Sequence, residues 1–346
     1  MKKVLKCMGM MALVALAFTS CKKNEETKNS FYASGAEFRV ESVDENRAYV
    51  DGNYKFHFEQ GDVCMVFNID ETTPTKSHAA LYGAVEEGVT NVHFLNIGYG
   101  EVAEDMLDGY YAFYPGGPGH TITYLANGEN KCKFYVDPVQ EYRENMVPKN
   151  ALYAAAKASD GSHLMGDTYF LFTPINGVLQ LRPFENRETP RTVTKIEVID
   201  NGFELSGLVE LIIPEVDPVE MMALFNNFDM NNPSYVARLE AYKTRVGYNV
   251  TDETIYNPVD GTTTHYVKGN TMTLNIPGGV QVGSTYANAP QFNIVLRPLA
   301  CSLGFKIIFT FDDDTTKTVD LNHYHGLCIR PNTVHVQGLN MDNYPG

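Results

Sequence analysis

The chain has 346 residues, with 42 acidic side chains against 27 basic ones and a formal net charge of -15. That balance excludes nucleic acid as a partner, because a phosphate backbone is held by a basic surface. It suits solubility on a crowded cell exterior. A hydrophobic fraction of 44% over this length is enough to fill the cores of two domains.

Lys2, Lys3 and Lys6 precede an apolar run from Met8 to Phe18, which is the layout of a secretory signal. The run is too short to span a bilayer, since a transmembrane helix needs roughly 20 apolar residues. It ends in Phe18-Thr19-Ser20-Cys21 and turns at once into Lys22-Lys23-Asn24-Glu25-Glu26. This junction resembles the lipobox of bacterial lipoproteins. The resemblance implies cleavage before Cys21, lipidation of that cysteine on sulfur and amine, and residence on the outer membrane. One acyl chain holds a protein only marginally at about 0.8 kcal/mol per buried methylene, so lasting attachment takes more than one. Residues 1–20 are thus expected to be a lipoprotein signal peptide and 21–32 a hydrophilic tether. The Lys-Lys-x-Glu-Glu start of that tether also resembles the charged export signal of some Bacteroidota surface lipoproteins.

Beyond the tether, short runs rich in aromatic and β-branched residues alternate with Gly, Pro, Asn and Asp. They begin with AEFRVESV, YKFHFEQGDVCMVF, NVHFLNI, GYYAFYP, CKFYVDP, YFLFTP and GVLQLRPF. They continue through VTKIEVID, LVELII, TMTLNIP, QFNIVLRP, LGFKIIFTF, TKTVDL and NTVHVQGL. Such spacing predicts stacked antiparallel sheets, an all-β chain with few helices. Asp217, Pro218 and Glu220 supply a cap, a first helical position and a capping-box acid, so a helix is expected over 218–228. PKNALYAAAKAS is compatible with a short helix or a loop. KASDGSHLMGD interrupts the pattern near the middle, and a boundary is expected there, around 158–166. The expected domains are 33–158 and 159–346.

Cys7 leaves with the leader, so Cys64, Cys132, Cys301 and Cys328 remain beside Cys21, without CxxC spacing. Neither a zinc knuckle nor a redox pair is indicated; disulfides and buried free thiols both stay open. His323 and His325 are two apart and share a face on a strand, a spacing that can hold a metal, but an exposed turn explains them as well. Asp312-Asp313-Asp314 lacks the order of a calcium loop and reads as a hairpin turn. No nucleophile elbow, HExxH or phosphate loop is present, and GGPG at Gly116 to Gly119 reads as a turn. No enzyme activity, metal or cofactor is expected.

Several of these runs, taken in order, resemble the fimbrillin superfamily of Bacteroidota, the subunits of type V pili. Phe58, Gly61, Asp62 and Phe67 match an aromatic-x-x-Gly-Asp-hydrophobic pattern, with Phe58 where Trp is commoner. Tyr111, Ala112, Tyr114 and Pro115 follow in DGYYAFYP, then DPVQEY and LYAAAKAS. YFLFTPINGVLQLRPF is answered by VTKIEVID and by Leu205-Ser206-Gly207, and TLNIPGGVQVGST and APQFNIVLRPLACSLGF close the series. The matches span about residues 35–340.

The resemblance implies two transthyretin-like antiparallel β-sandwich domains and a structural or accessory role in a surface fimbrium that serves adhesion. It also implies that an arginine-specific protease removes the leader with a first strand, EFRVESV, at Arg47 or Arg39. A strand from the next subunit then fills the groove, so the implied partners are other fimbrial subunits, the membrane through the lipid anchor, and host surface proteins or glycans. Val334, Val336, Leu339 and Met341 are either a C-terminal donor strand or the closing strand of the second domain. If they close that domain, the subunit lacks a free donor and fits a tip or accessory position. The competing reading is a non-polymerising surface lipoprotein that binds carbohydrate through its 21 Tyr and 19 Phe, although the usual tryptophan platform is absent.

Overall fold

The structure, a computed structural model, describes residues 30–35, 39–42, 57–69, 77–88, 90–100, 110–116, 121–124, 130–144, 147, 154–157, 168–201, 204–213, 231–245, 249–256, 263–297, 305–321, 329 and 332–344. They form 22 β-strands and one α-helix, the all-β class that the alternating runs predict. The described residues fall into two units. One lies within Met1–Ala36, Lys55–Gly117 and Ala154–Thr173, the other within Glu37–Tyr54, Pro118–Tyr153 and Pro174–Gly346. The units therefore interleave along the chain instead of following one another across 158–166, a segment that itself lies outside the described residues.

The first unit is a closed barrel. Its strands run in the order β1 (Ser30–Gly35), β11 (Tyr169–Pro174), β10 (Ala154–Lys157), β6 (Tyr111–Tyr114), β3 (Val63–Ile69), β4 (Ser77–Ala84) and β5 (Val92–Gly100). Closure removes free edges. Inward positions are aromatic: Phe31, Phe58, Tyr82, Phe94, Phe113, Phe170 and Phe172 are each 1% exposed or less. Alternation along β11 shows how this arises, with Phe170 and Phe172 buried and Leu171 and Thr173 exposed.

Two motifs of the sequence have plain structural causes here. Phe58 bridges Gly88 through paired backbone bonds of 2.8 and 2.9 Å and sends its ring into the core. Gly61 takes a positive φ of 87°, and the Asp62 carboxylate accepts from the Glu59 amide at 2.8 Å, which closes the turn into β3. After β6 comes a cis Tyr114-Pro115 bond, and the Gly116 amide then donates to Val63 at 2.7 Å. A Cβ on Gly116 would stand 2.5 Å from the Cys64 carbonyl carbon, so the chain can pass only as glycine. Gly116→Ala is expected to cost about 1–3 kcal/mol in urea unfolding.

The second unit contains four sheets. One has the order β19 (Phe292–Leu296), β12 (Gly177–Phe184), β22 (Thr333–Asn340), β2 (Arg39–Ser42). A second runs β21 (Thr316–Asp320), β20 (Phe305–Phe311), β13 (Thr192–Asp200), β18 (Thr271–Gln281), β9 (Val139–Glu141). The third is β15 (Asn249–Thr251), β14 (Gly207–Ile213), β8 (Asn130–Val136), β7 (Thr121–Tyr124), and the last pairs β16 (Glu253–Tyr256) with β17 (Thr263–Tyr266). Strand β12 is buried from Gly177 to Pro183, so both of its faces are covered. Most pairings are antiparallel, but β1 with β11, β2 with β22, β9 with β18 and β12 with β22 are parallel.

Two expectations change, and a helix is found where none was expected. Ser30–Gly35 is strand β1 with Phe31 fully buried, so the tether cannot extend to residue 32; an aromatic core position outweighs the polar residues before it. Ala154–Lys157, within the alanine-rich stretch, is a strand in register with Tyr111–Tyr114, where barrel closure overrides alanine's helix preference. The helix expected over 218–228 lies outside the described residues; among those described a helix, α1, stands at Pro233–Arg245, where none was expected. Its signal was present: the Asn232 side chain accepts from the Ser234 amide at 3.0 Å, Pro233 opens the helix, and Tyr235, Leu239 and Tyr242 form its buried face.

Candidate functional site

A protein built for strand addition is defined by its sheet edges and by the strands that cover them. The segments on either side of Arg39 occupy two distinct places. Strand β2 begins at Arg39 and is the outer strand of its sheet, parallel to β22 with Arg39 opposite Thr333, Val40 opposite Val334, Glu41 opposite His335 and Ser42 opposite Val336. Strand β1 lies inside the barrel, antiparallel to β5 and parallel to β11. Everything before Arg47 therefore includes both strands, whereas the reading of EFRVESV alone missed β1. Arg47 and Cys21 lie outside the described residues.

The C-terminal residues have definite positions. Val334, Val336, Leu339 and Met341 are 1% exposed or less, and β22 pairs with β12 from Val334 to Asn340 as well as with β2. In the uncleaved chain β22 is thus held on both sides within its own unit. The opposite border of the same sheet, β19, is closed by a side chain: Gln140 on β9 donates to the Val295 carbonyl at 2.6 Å and accepts from the Val295 amide at 2.9 Å. These are the two groups that an added strand would use. Gln140 is fully buried, and nothing in its local sequence marks the role.

Around β1 the barrel forms an aromatic socket. The Phe31 ring lies 5.0 Å from Phe94 and nearly parallel to it, 5.1 Å from Tyr82 and 4.9 Å from Phe170, edge-on. Ala33 is fully buried, and the Ser34 hydroxyl accepts from the Asn91 amide at 3.1 Å. Tyr32 points outward, 38% exposed, and stacks on His93 with ring centres 4.8 Å apart.

Burial favours the neutral form of three groups in this barrel, Tyr82, Tyr114 and Cys64. Burial pushes the Tyr82 phenol up to about 12, with the neighbouring Asn96 opposing. Tyr114 is raised further, by burial first and then by the Asp62 carboxylate, which accepts its proton in a hydrogen bond. Burial likewise raises the Cys64 thiol, which is free and inert. An unfolded tyrosine ionises near 10. An unfolded thiol already ionises at about 8.5, so the unfolded chain loses its protons first; this contribution to stability is complete below about pH 8.5 and falls as pH rises, more steeply above about pH 10. Urea midpoints measured from about pH 7 to 11.5 are expected to be flat to about pH 8.5, to decline from there as the unfolded thiol ionises, and to drop more steeply above about pH 10.

Asp312, Asp313 and Asp314 form the turn between β20 and β21. The Asp313 carboxylate accepts from the Thr315 hydroxyl at 2.5 Å and amide at 3.0 Å, which lowers its pKa. Cys132 lies on β8 opposite Leu211 and Ile122; His323, His325, Cys301 and Cys328 lie outside the described residues. Among the described residues no cluster of His, Cys, Asp and Glu is arranged to hold a metal, and no helix is long and apolar enough to cross a membrane.

Neither a protein-family model nor a curated protein sequence matches the chain. Solved structures similar to it include a candidate cell adhesion protein from Bacteroides uniformis ATCC 8492, with 11% identity, 92% of this chain and 94% of that chain covered, and a TM-score of 0.42. A candidate cell adhesion protein from Bacteroides ovatus ATCC 8483 has 11% identity, 92% and 95% coverage and a TM-score of 0.39. A fimbrial protein from the same strain has 10% identity, covers 91% of this chain and 49% of its own, and has a TM-score of 0.30. At that identity and overlap these are likenesses and no more.

Proposed function

We propose that the protein is a subunit of a bacterial surface fimbrium, exported as a lipoprotein anchored through Cys21 at the outer membrane and joined to its neighbour by strand addition. The observation that supports this reading is the placement of the N-terminal strands. A cut after Arg47 releases β1 and β2 together, exposing the backbone of β5 and β11 in the barrel and of β22 in the second unit. An incoming chain would satisfy those groups. Because β22, with Val334, Val336, Leu339 and Met341, stays paired with β12 from Val334 to Asn340 after the cut and keeps those side chains in its own core, the subunit accepts a strand without offering this one. That fits a tip or accessory position, with adhesion served by the exposed surface and no catalytic role.

Arginine-specific protease applied to the folded precursor tests this. Release of a fragment ending at Arg47 or Arg39, with the remainder staying monomeric by light scattering, is the expected result. A chain that resists cleavage in its native state would oppose maturation, and a ladder of oligomers would oppose the accessory position. Carbohydrate binding has one observation in its favour, the half-exposed Tyr32 stacked on His93. Glycan arrays showing micromolar binding by an uncleaved, unassembled chain would put that reading first.

A further inference from the structure

We infer that the barrel selects its incoming strand by an aromatic-x-small-Ser signature, which the C-terminal strand of a second copy of this chain does not carry. This rests on the strand-addition reading. The native occupant defines the slot. Phe31 fills a socket bounded by Phe94, Tyr82 and Phe170 with ring centres 4.9 to 5.1 Å away. Two residues on, Ala33 faces the same interior, fully buried and in register with Val92 on one side and Phe170 on the other. Close-packed interiors do not admit added volume without strain, so that position takes only a small residue. Ser34 is nearly buried, and its hydroxyl receives the Asn91 amide. Tyr32 between them faces outward and is not selected.

Direction is set as well. A replacement must run parallel to β11 and antiparallel to β5, as β1 does, with its aromatic residue opposite Phe94. The C-terminal strand of this chain does not meet these terms. Its buried side chains are aliphatic or polar, Val334, His335, Val336, Gln337 and Leu339, with no ring of the size of Phe31. It is also engaged by β12 along Val334 to Asn340. Left without its aromatic residue, the socket would hold a void among three rings, which is costly in a core.

The test uses the full chain with a site-specific protease sequence inserted after Arg47, so that cleavage does not depend on native maturation. After cleavage in the folded state, fluorescent peptides are added and exchange with the N-terminal fragment is followed by anisotropy. A peptide spanning residues 28–37 and its Tyr32→Ala form are expected to exchange in, with Phe31→Ala and Ala33→Trp forms weaker by about a hundredfold or more. A peptide spanning residues 332–341 is expected not to enter. Equal entry of the Phe31→Ala and unaltered peptides would overturn the signature and leave strand addition standing. Entry of the 332–341 peptide as readily as the 28–37 peptide would overturn the exclusion of the C-terminal strand as donor. Failure of every peptide, the unaltered one included, would overturn replaceability of β1 and with it the proposed function.

Discussion

Phe31→Ala in the uncleaved chain is expected to lower the unfolding free energy of the barrel by about 3–5 kcal/mol, read as a large fall in the urea midpoint. Phe31 is fully buried and touches three rings, so its removal loses both the transfer free energy and the contacts of Phe94, Tyr82 and Phe170. The neighbouring Tyr32→Ala should change the midpoint little, because Tyr32 is 38% exposed and rests on one partner, His93. The contrast has a functional side. Under the proposed function, a strand held this firmly would stay in place until its covalent link is cut and a competitor with equivalent contacts is present.

Gln140→Leu should be the second large effect, at roughly 2–5 kcal/mol, although leucine is apolar and close in size. The Val295 amide and carbonyl, at a fully buried residue, would both lose their partner. Buried backbone groups without hydrogen bonds each cost on the order of 1–3 kcal/mol. Gln140→Glu separates the causes, since a carboxylate still accepts from the Val295 amide but cannot donate to the carbonyl; a loss smaller than that of leucine is not expected unless the glutamate is protonated. Thermal unfolding of the three proteins at pH 7 and pH 4 checks both statements, with recovery of the Gln140→Glu protein at the lower pH.

The strands were legible because their causes are local. Alternation in YFLFTP becomes the buried and exposed faces of β11, and the Phe58-x-x-Gly61-Asp62 pattern becomes a core ring, a positive-φ glycine and a carboxylate-closed turn. The triple aspartate likewise behaves as turn chemistry, with Asp313 bound to Thr315. What escaped depends on distant partners. No periodicity distinguishes β1 beside β11 from a tether followed by an ordinary first strand, since the parallel pairing of residues 32 and 169 is fixed by the barrel as a whole. Alanines at 154–156 read as helix or loop until Tyr114, Phe113 and Ala112 stand opposite them. Interleaving of the two units has the same origin: β2 follows β1 closely in the chain but pairs with β22, near the other end.

The edge accounting also explains how an uncleaved precursor could avoid joining its neighbours. The barrel has no open edge while β1 is seated, β22 is covered by β2 over Thr333–Val336, and β19 is closed by Gln140. A single proteolytic event after Arg47 would free the first two of these and leave the third closed. Under the proposed function, the places from which a strand was taken are then newly opened to addition, which is a means of ordering assembly in time.

The most direct measurement is the N-terminal sequence and intact mass of the protein sheared from cell-surface fibres. A polypeptide beginning at Ala48, or at Val40, with Ser30–Gly35 absent and another chain's strand in its place, is the expected result. Fibres whose subunits still carry lipidated Cys21 and Phe31 on the same unbroken polypeptide would contradict it.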